Sequence, residues 1–170
     1  MNGGTRRIAV CGLLTAVALV LSLVERMFPL SAVVPIPGIK LGLANVATLF
    51  ALVRLGRRDA FAILLVRVTL ASVFMGSVTS FLFALFGGLL ALLTMALLLP
   101  GRDRWFSLIG ISVAGAAAHN IGQIGAAMLV LRSVYVAAYL PLLLLSALVM
   151  GVTTGIVSRV TIEHLEKISF

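Results

Sequence analysis

The sequence predicts an all-α membrane protein with six transmembrane helices, and three observations carry that prediction. Hydrophobic residues make up 62% of the 170 residues and charged ones only 11%, outside the range of soluble globular domains. The apolar residues gather into six runs. The basic residues occupy the gaps between runs, and they do so unevenly. A net charge of +8 would suggest nucleic acid in a soluble protein. Here the same residues sit at membrane edges, where they set topology, so no nucleic-acid partner is expected.

The first run spans 8–24, opened by Arg6 and Arg7 and closed by Glu25 and Arg26. It resembles a signal peptide at its start. No convincing small-residue cleavage site follows and the run continues to Val24, so it reads as a retained span. A loop from Met27 to Lys40 follows, with Pro29, Pro35, Pro37 and Gly38, which cannot be helical throughout. The second run, 41–55, is short: at about 1.5 Å per residue it covers only roughly 22 Å of a layer near 30 Å. The third, 60–74, is equally short and carries Arg67 inside it. Such short spans point to helices that tilt, start within a cavity or are shielded by neighbours. The fourth and fifth runs cover 78–99 and 105–131, and the sixth 137–157, ahead of a polar tail from Arg159 to Phe170. All six belong to one transmembrane domain, 1–170.

With the N-terminus inside, the inner gaps hold Arg6, Arg7, Arg54, Arg57, Arg58, Arg102, Arg104, Arg159 and Lys167. The outer gaps hold Arg26, Lys40 and Arg132. This bias predicts that both termini are cytoplasmic. The one cysteine, Cys11, has no intrachain partner, and no metal-ligand cluster, P-loop or nucleophile elbow occurs. Neither a metal nor a cofactor is expected, and no enzyme activity.

Candidate functional residues are polar groups at membrane depth. Ala114 to Met128 is built mostly of small residues, with His119, Asn120 and Gln123 in its middle. On a helix His119 and Gln123 share a face, with Asn120 beside them. Such groups cost several kcal/mol each in hydrocarbon if unpaired, so they either hydrogen-bond neighbouring helices or line a wet cavity. Gly115, Ala118, Gly122 and Gly125 allow a close approach by backbones or by a ligand. Arg67 costs about 2.5–3.5 kcal/mol to insert and needs backbone carbonyls, the His119, Asn120 and Gln123 group, snorkelling or an anion to balance it. Glu25 is its one candidate acidic partner. Lys40 and Asn45 lie where the second helix is expected to begin, and free amides there with the lysine suit a carboxylate or phosphate. Alternatively, Lys40 snorkels and Asn45 bonds a neighbouring helix. On the first span Gly12 and Ala16 form a small-xxx-small pair, as do Ala18 and Ser22, for internal packing or for docking a partner. Gly87-Gly88 suit a close helix crossing.

Pro37-Gly-Ile-Lys-Leu-Gly-Leu-Ala-Asn45, Arg67 with Gly76-Ser77, and Ala118-His-Asn-Ile-Gly-Gln123 resemble the Gx transporter family, also labelled heptaprenyl diphosphate synthase component I. The likeness covers nearly the whole chain. It implies kinship with the substrate-binding S components of energy-coupling factor (ECF) transporters, which have six helices, both termini inside and a first outer loop that closes over the ligand. It also implies docking through the first helix onto an ECF-type transmembrane subunit driven by ATPases, in a bacterial inner membrane. The Ala-x-x-x-Ala pattern usual there is Gly12-x-x-x-Ala16 in this chain. The reading that follows is a multi-pass, S-component-like bundle binding a small anionic or amphipathic molecule. Lys40, Asn45, Arg67, His119, Asn120 and Gln123 would line its outward cavity, with 27–38 as lid. Two rivals are a non-catalytic membrane subunit of polyprenyl diphosphate synthesis and a structural subunit of an electron-transfer complex. Prenyl elongation needs aspartate clusters for metal and diphosphate, and the chain has none.

Overall fold

The computed structural model describes residues 3–25, 27, 39–75 and 77–167. Among them lie six α-helices and no strand: α1 Gly3–Glu25, α2 Asn45–Arg54, α3 Arg57–Met75, α4 Val78–Leu98, α5 Leu108–Leu131 and α6 Leu140–Lys167. Short 3-10 turns at Leu99–Gly101 and Val134–Tyr139 extend α4 and precede α6. Among the described residues four stretches are long and apolar enough to cross a membrane: Gly4–Glu25, Val78–Gly101, Leu108–Leu131 and Val134–His164.

The two remaining helices are the ones that looked short in sequence, and they differ from each other. α3 is not short. It takes in Arg57, Arg58 and Asp59 and runs for 19 residues, about 28 Å at 1.5 Å per residue. α2 is shorter than expected, 10 residues from Asn45. Its apolar run starts earlier because residues 39–42 are not helical yet Ile39 and Leu41 are buried all the same. Gly42, at φ 89, occupies the left-handed region that glycine tolerates and turns the chain into the helix. Non-helical backbone of this kind survives in a bundle only where protein covers it. The expected start of the fifth helix at 105 gives way to a turn, from which Ser107 caps α5 by accepting from the Gly110 amide at 3.0 Å. The sixth helix does not stop near 157 but continues through the charged stretch to Lys167. Ser77 caps α4 in the same way, while Gly76 lies outside the described residues.

α5 packs along α4 on one side and α6 on the other. Glycine makes both crossings close. A Cβ at Gly122 would lie 2.6 Å from the Phe86 carbonyl oxygen, and one at Gly151 2.5 Å from Val113 Cα. α2 sits among α1, α3, α4, α5 and α6. The core has two main apolar clusters: one around Leu49, Leu64, Met95 and Ile111, the other around Ile39, Phe83, Ile124 and Leu143. Large apolar side chains such as Leu13, Val73, Leu97, Leu129 and Val149 cover the outside, as a surface facing lipid requires. One end of the bundle collects charge. Arg7 pairs with Asp59 at 2.7 Å, Arg57 donates to the Ala96 carbonyl at 3.2 Å, and Arg102, Asp103, Arg159 and Glu163 line one small cleft of about 190 Å³.

Candidate functional site

Residues 39–45 enter the bundle between α1 and α5, and the polar side chains converge on them. The Lys40 amide donates to Gln123 Oε1 and Gln123 Nε2 donates to the Lys40 carbonyl, both at 2.8 Å. Gln123 therefore treats this backbone as a neighbouring strand would. Its Nε2 also reaches Asn120 Oδ1 at 3.3 Å, and Asn120 Nδ2 donates to the Leu143 carbonyl of α6 at 2.6 Å. These two amides are joints between α5, α6 and the 39–42 segment.

The helix start was expected near Lys40, with free amides for an anion. α2 instead starts at Asn45, and the amides just before it already have an acceptor. Glu25, buried at the end of α1, accepts at Oε1 from the Gly42 and Leu43 amides, the latter at 3.2 Å. The protein's own carboxylate occupies the place predicted for a ligand's. Glu25 is close enough to Lys40 and Arg67 for electrostatic coupling. No direct ion pair joins it to Arg67, so their expected partnership is indirect. Arg67 Nη1 donates instead to Ser22 Oγ at 3.2 Å, one turn earlier on α1, and Ser22 in turn donates to the Ala18 carbonyl at 2.9 Å.

Three of the candidate residues keep buried polar atoms with no hydrogen bond of good geometry: both amide atoms of Asn45, Nε and Nη2 of Arg67, and both ring nitrogens of His119, which has the Gly87 backbone close by. Their relative exposures are 5%, 4% and 2%, so bulk solvent does not reach them. Glycines bring them together. A Cβ at Gly42 would lie 2.9 Å from Asn45 Nδ2 and 3.2 Å from His119 Cδ2. One at Gly87 would lie 3.0 Å from His119 Cε1, and one at Gly88 3.5 Å from Arg67 Nη2. Five of the six predicted residues thus gather around one segment, and Arg67 lies against Gly88, next to the Gly87 that flanks the His119 ring. Two of the six are consumed by structure, three have unused donors and acceptors, and Lys40 contributes its backbone.

The sequence suggested packing or partner docking for Ser22 and a pairing with Arg67 for Glu25, and it gave Gly42 no role of its own. The glycine between Lys40 and Asn45 was the available signal. The lid stretch 28–38 lies outside the described residues, and Met27 forms only a turn whose amide donates to the Val24 carbonyl. Gly12 and Ala16 are both exposed on α1, with nothing within 4 Å of a Cβ at Gly12, whereas Ala18 and Ser22 are buried. Among the described residues no three of His, Cys, Asp and Glu lie together in a way that could hold a metal.

The family model described as heptaprenyl diphosphate synthase component I matches residues 14–161, and the chain belongs to that family. No curated protein and no solved structure matches it.

Proposed function

We propose that this member of the heptaprenyl diphosphate synthase component I family is the substrate-binding membrane component of a small-molecule transporter. In this reading one domain, 1–170, crosses a bacterial inner membrane six times with both termini in the cytoplasm. It binds a small anionic or amphipathic molecule from the outer side, as an ECF S component does. Lys40, Asn45, Arg67, His119, Asn120 and Gln123 form its site. A single observation carries the reading: Asn45, Arg67 and His119, from three helices, keep unpartnered polar atoms at one buried place. Leaving such a group unpaired costs about 1–3 kcal/mol, and more for a charge. A ligand that takes up those bonds is the simplest reason for a bundle to carry three of them. The short α2, beginning inside the bundle, supports the same reading, since broken helices mark midplane sites in transporters. Energy would come from a separate ATPase module, docked on the exposed Gly12 and Ala16 face of α1.

Native mass spectrometry of the purified protein should find a retained small molecule. Arg67→Ala and His119→Ala should each abolish its retention while the protein remains inserted and folded. Unchanged retention in both would remove the site.

The family's description favours a second reading, a non-catalytic membrane partner of a polyprenyl diphosphate synthase. It predicts copurification with a soluble synthase and no translocation in vesicles.

A further inference from the structure

We infer that the ligand is recognised through an oxyanion gripped side-on by Arg67, so that the group bound presents two adjacent acceptor oxygens, as a carboxylate or a phosphate does. The inference rests on the reading of this cluster as a ligand site.

Arg67 is fastened at one corner only. Nη1 donates to Ser22, while Nε and Nη2 are buried and without acceptor. Those two nitrogens share the long edge of the planar guanidinium, where their N–H bonds run parallel. That edge is the one that fits two oxygens of a carboxylate or phosphate at once. An arginine kept for structure alone would turn this edge towards carbonyls or the nearest carboxylate. The nearest carboxylate is Glu25, and its Oε1 accepts from Gly42 and Leu43. Arg67 is coupled to Glu25 only through space.

The rest of the cluster suits the same ligand. Nη2 faces Gly88 of α4, and the His119 ring lies against the adjacent Gly87 and against Gly42, beside Asn45 Nδ2. Asn45 and one His119 nitrogen can each donate a further hydrogen bond. Asn45 Oδ1 and the other ring nitrogen can accept from a hydroxyl or a protonated oxygen. Arg67 brings a positive charge to this place, and the carboxylate coupled to it, Glu25, is already engaged by the Gly42 and Leu43 amides. A cationic ligand would meet the wrong sign and would leave the guanidinium edge empty.

The test uses the full chain in phosphatidylcholine nanodiscs. The Arg67 Nε–H resonance is identified by its loss in Arg67→Lys and followed by nitrogen NMR. One arm titrates inorganic phosphate and another acetate; a third replaces part of the lipid with phosphatidic acid. The expected result is a saturable downfield movement of that resonance in at least one arm. Movement only in the third arm identifies a lipid headgroup as the source of the anion. Arg67→Lys keeps the charge but loses the fork, and should weaken binding in the responding arm at least roughly tenfold, read in both proteins from the backbone amide resonance of the neighbouring Gly88. A resonance unmoved in every arm, or a lysine variant that binds as the wild type does, overturns the inference. If the purified protein still loses its retained molecule in Arg67→Ala and His119→Ala, the ligand site stands and only its oxyanion chemistry falls. If those variants also retain it, both fall.

Discussion

Ser112 and His119 lie seven residues apart on α5, two helical turns, and both are buried. At Ser112 the hydroxyl meets Thr154 Oγ1 of α6 at 2.8 Å, and Thr154 is close enough to donate back to the Met150 carbonyl, also at 2.8 Å. Gly155 lets α6 come this near, since a Cβ there would lie 2.8 Å from Ile109 Cα. At His119 the glycines are just as close, at positions 42 and 87, yet neither ring nitrogen has a partner. The same helix thus carries one polar contact that is complete and one that is not. Complete contacts hold helices together, and hydrocarbon selects for them because water cannot substitute. An incomplete one is tolerated only if something outside the chain completes it or if the rest of the bundle outweighs its cost. Asn120 and Gln123, on the same stretch as His119, belong with Ser112 in this contrast. Their amides are joined to Leu143 and to Lys40.

Substitutions can sharpen or break the contrast, and the largest effect is expected at Gln123. Gln123→Leu strips both bonds from the half-buried Lys40 backbone. The protein should lose roughly 2–3 kcal/mol, read as an earlier midpoint in detergent-titrated unfolding. A loss near zero would mean that this amide is not a joint.

Gly122→Ala comes next. The new methyl would fall 2.6 Å from the Phe86 carbonyl oxygen and 2.9 Å from Gly87 Cα, so the α4–α5 crossing must open. Overpacking of this kind costs about 1–3 kcal/mol. Because Gly87 also flanks the His119 ring, ligand retention should weaken with it. Stability that falls while retention is untouched would separate the crossing from the site.

The smallest effect is the most direct test. Ser112→Ala should lower stability by about 0.6 kcal/mol, the average for an interhelical side-chain bond in a membrane. His119→Leu, similar in bulk and without polar atoms, should leave stability unchanged or raise it, because it removes buried nitrogens that have no partner. Equal losses in the two variants would erase the distinction between the patches.

Much of this was legible in the sequence. Arg67 could be placed inside a span because nothing but a protected interior keeps a guanidinium there. His119, Asn120 and Gln123 could be placed together because they share one helical face. α2 was misjudged at its start for a physical reason: hydropathy reports burial, and Ile39 and Leu41 are buried in non-helical backbone as thoroughly as they would be in a helix. α3 was misjudged because its first turn is charged, and charge at a membrane edge looks like loop. Lys40 was read as part of a site open to an anion. Nothing local announces that Glu25, 17 residues before Gly42, folds back onto those amides.

Composition, periodicity and the scatter of basic residues determined that this chain is helical, that its surface suits lipid, and which polar groups would be costly. Those properties depend on each residue and its near neighbours, so the order of residues is enough to read them. Which of the costly groups would be paired was decided only by the tertiary structure. Gln123 finds its partner 83 positions away and Asn120 finds its own 23 away, while Arg67 is fastened to Ser22 across 45 and keeps one edge empty. A hydrogen bond needs its atoms within about 3 Å, and that distance is a property of how helices cross.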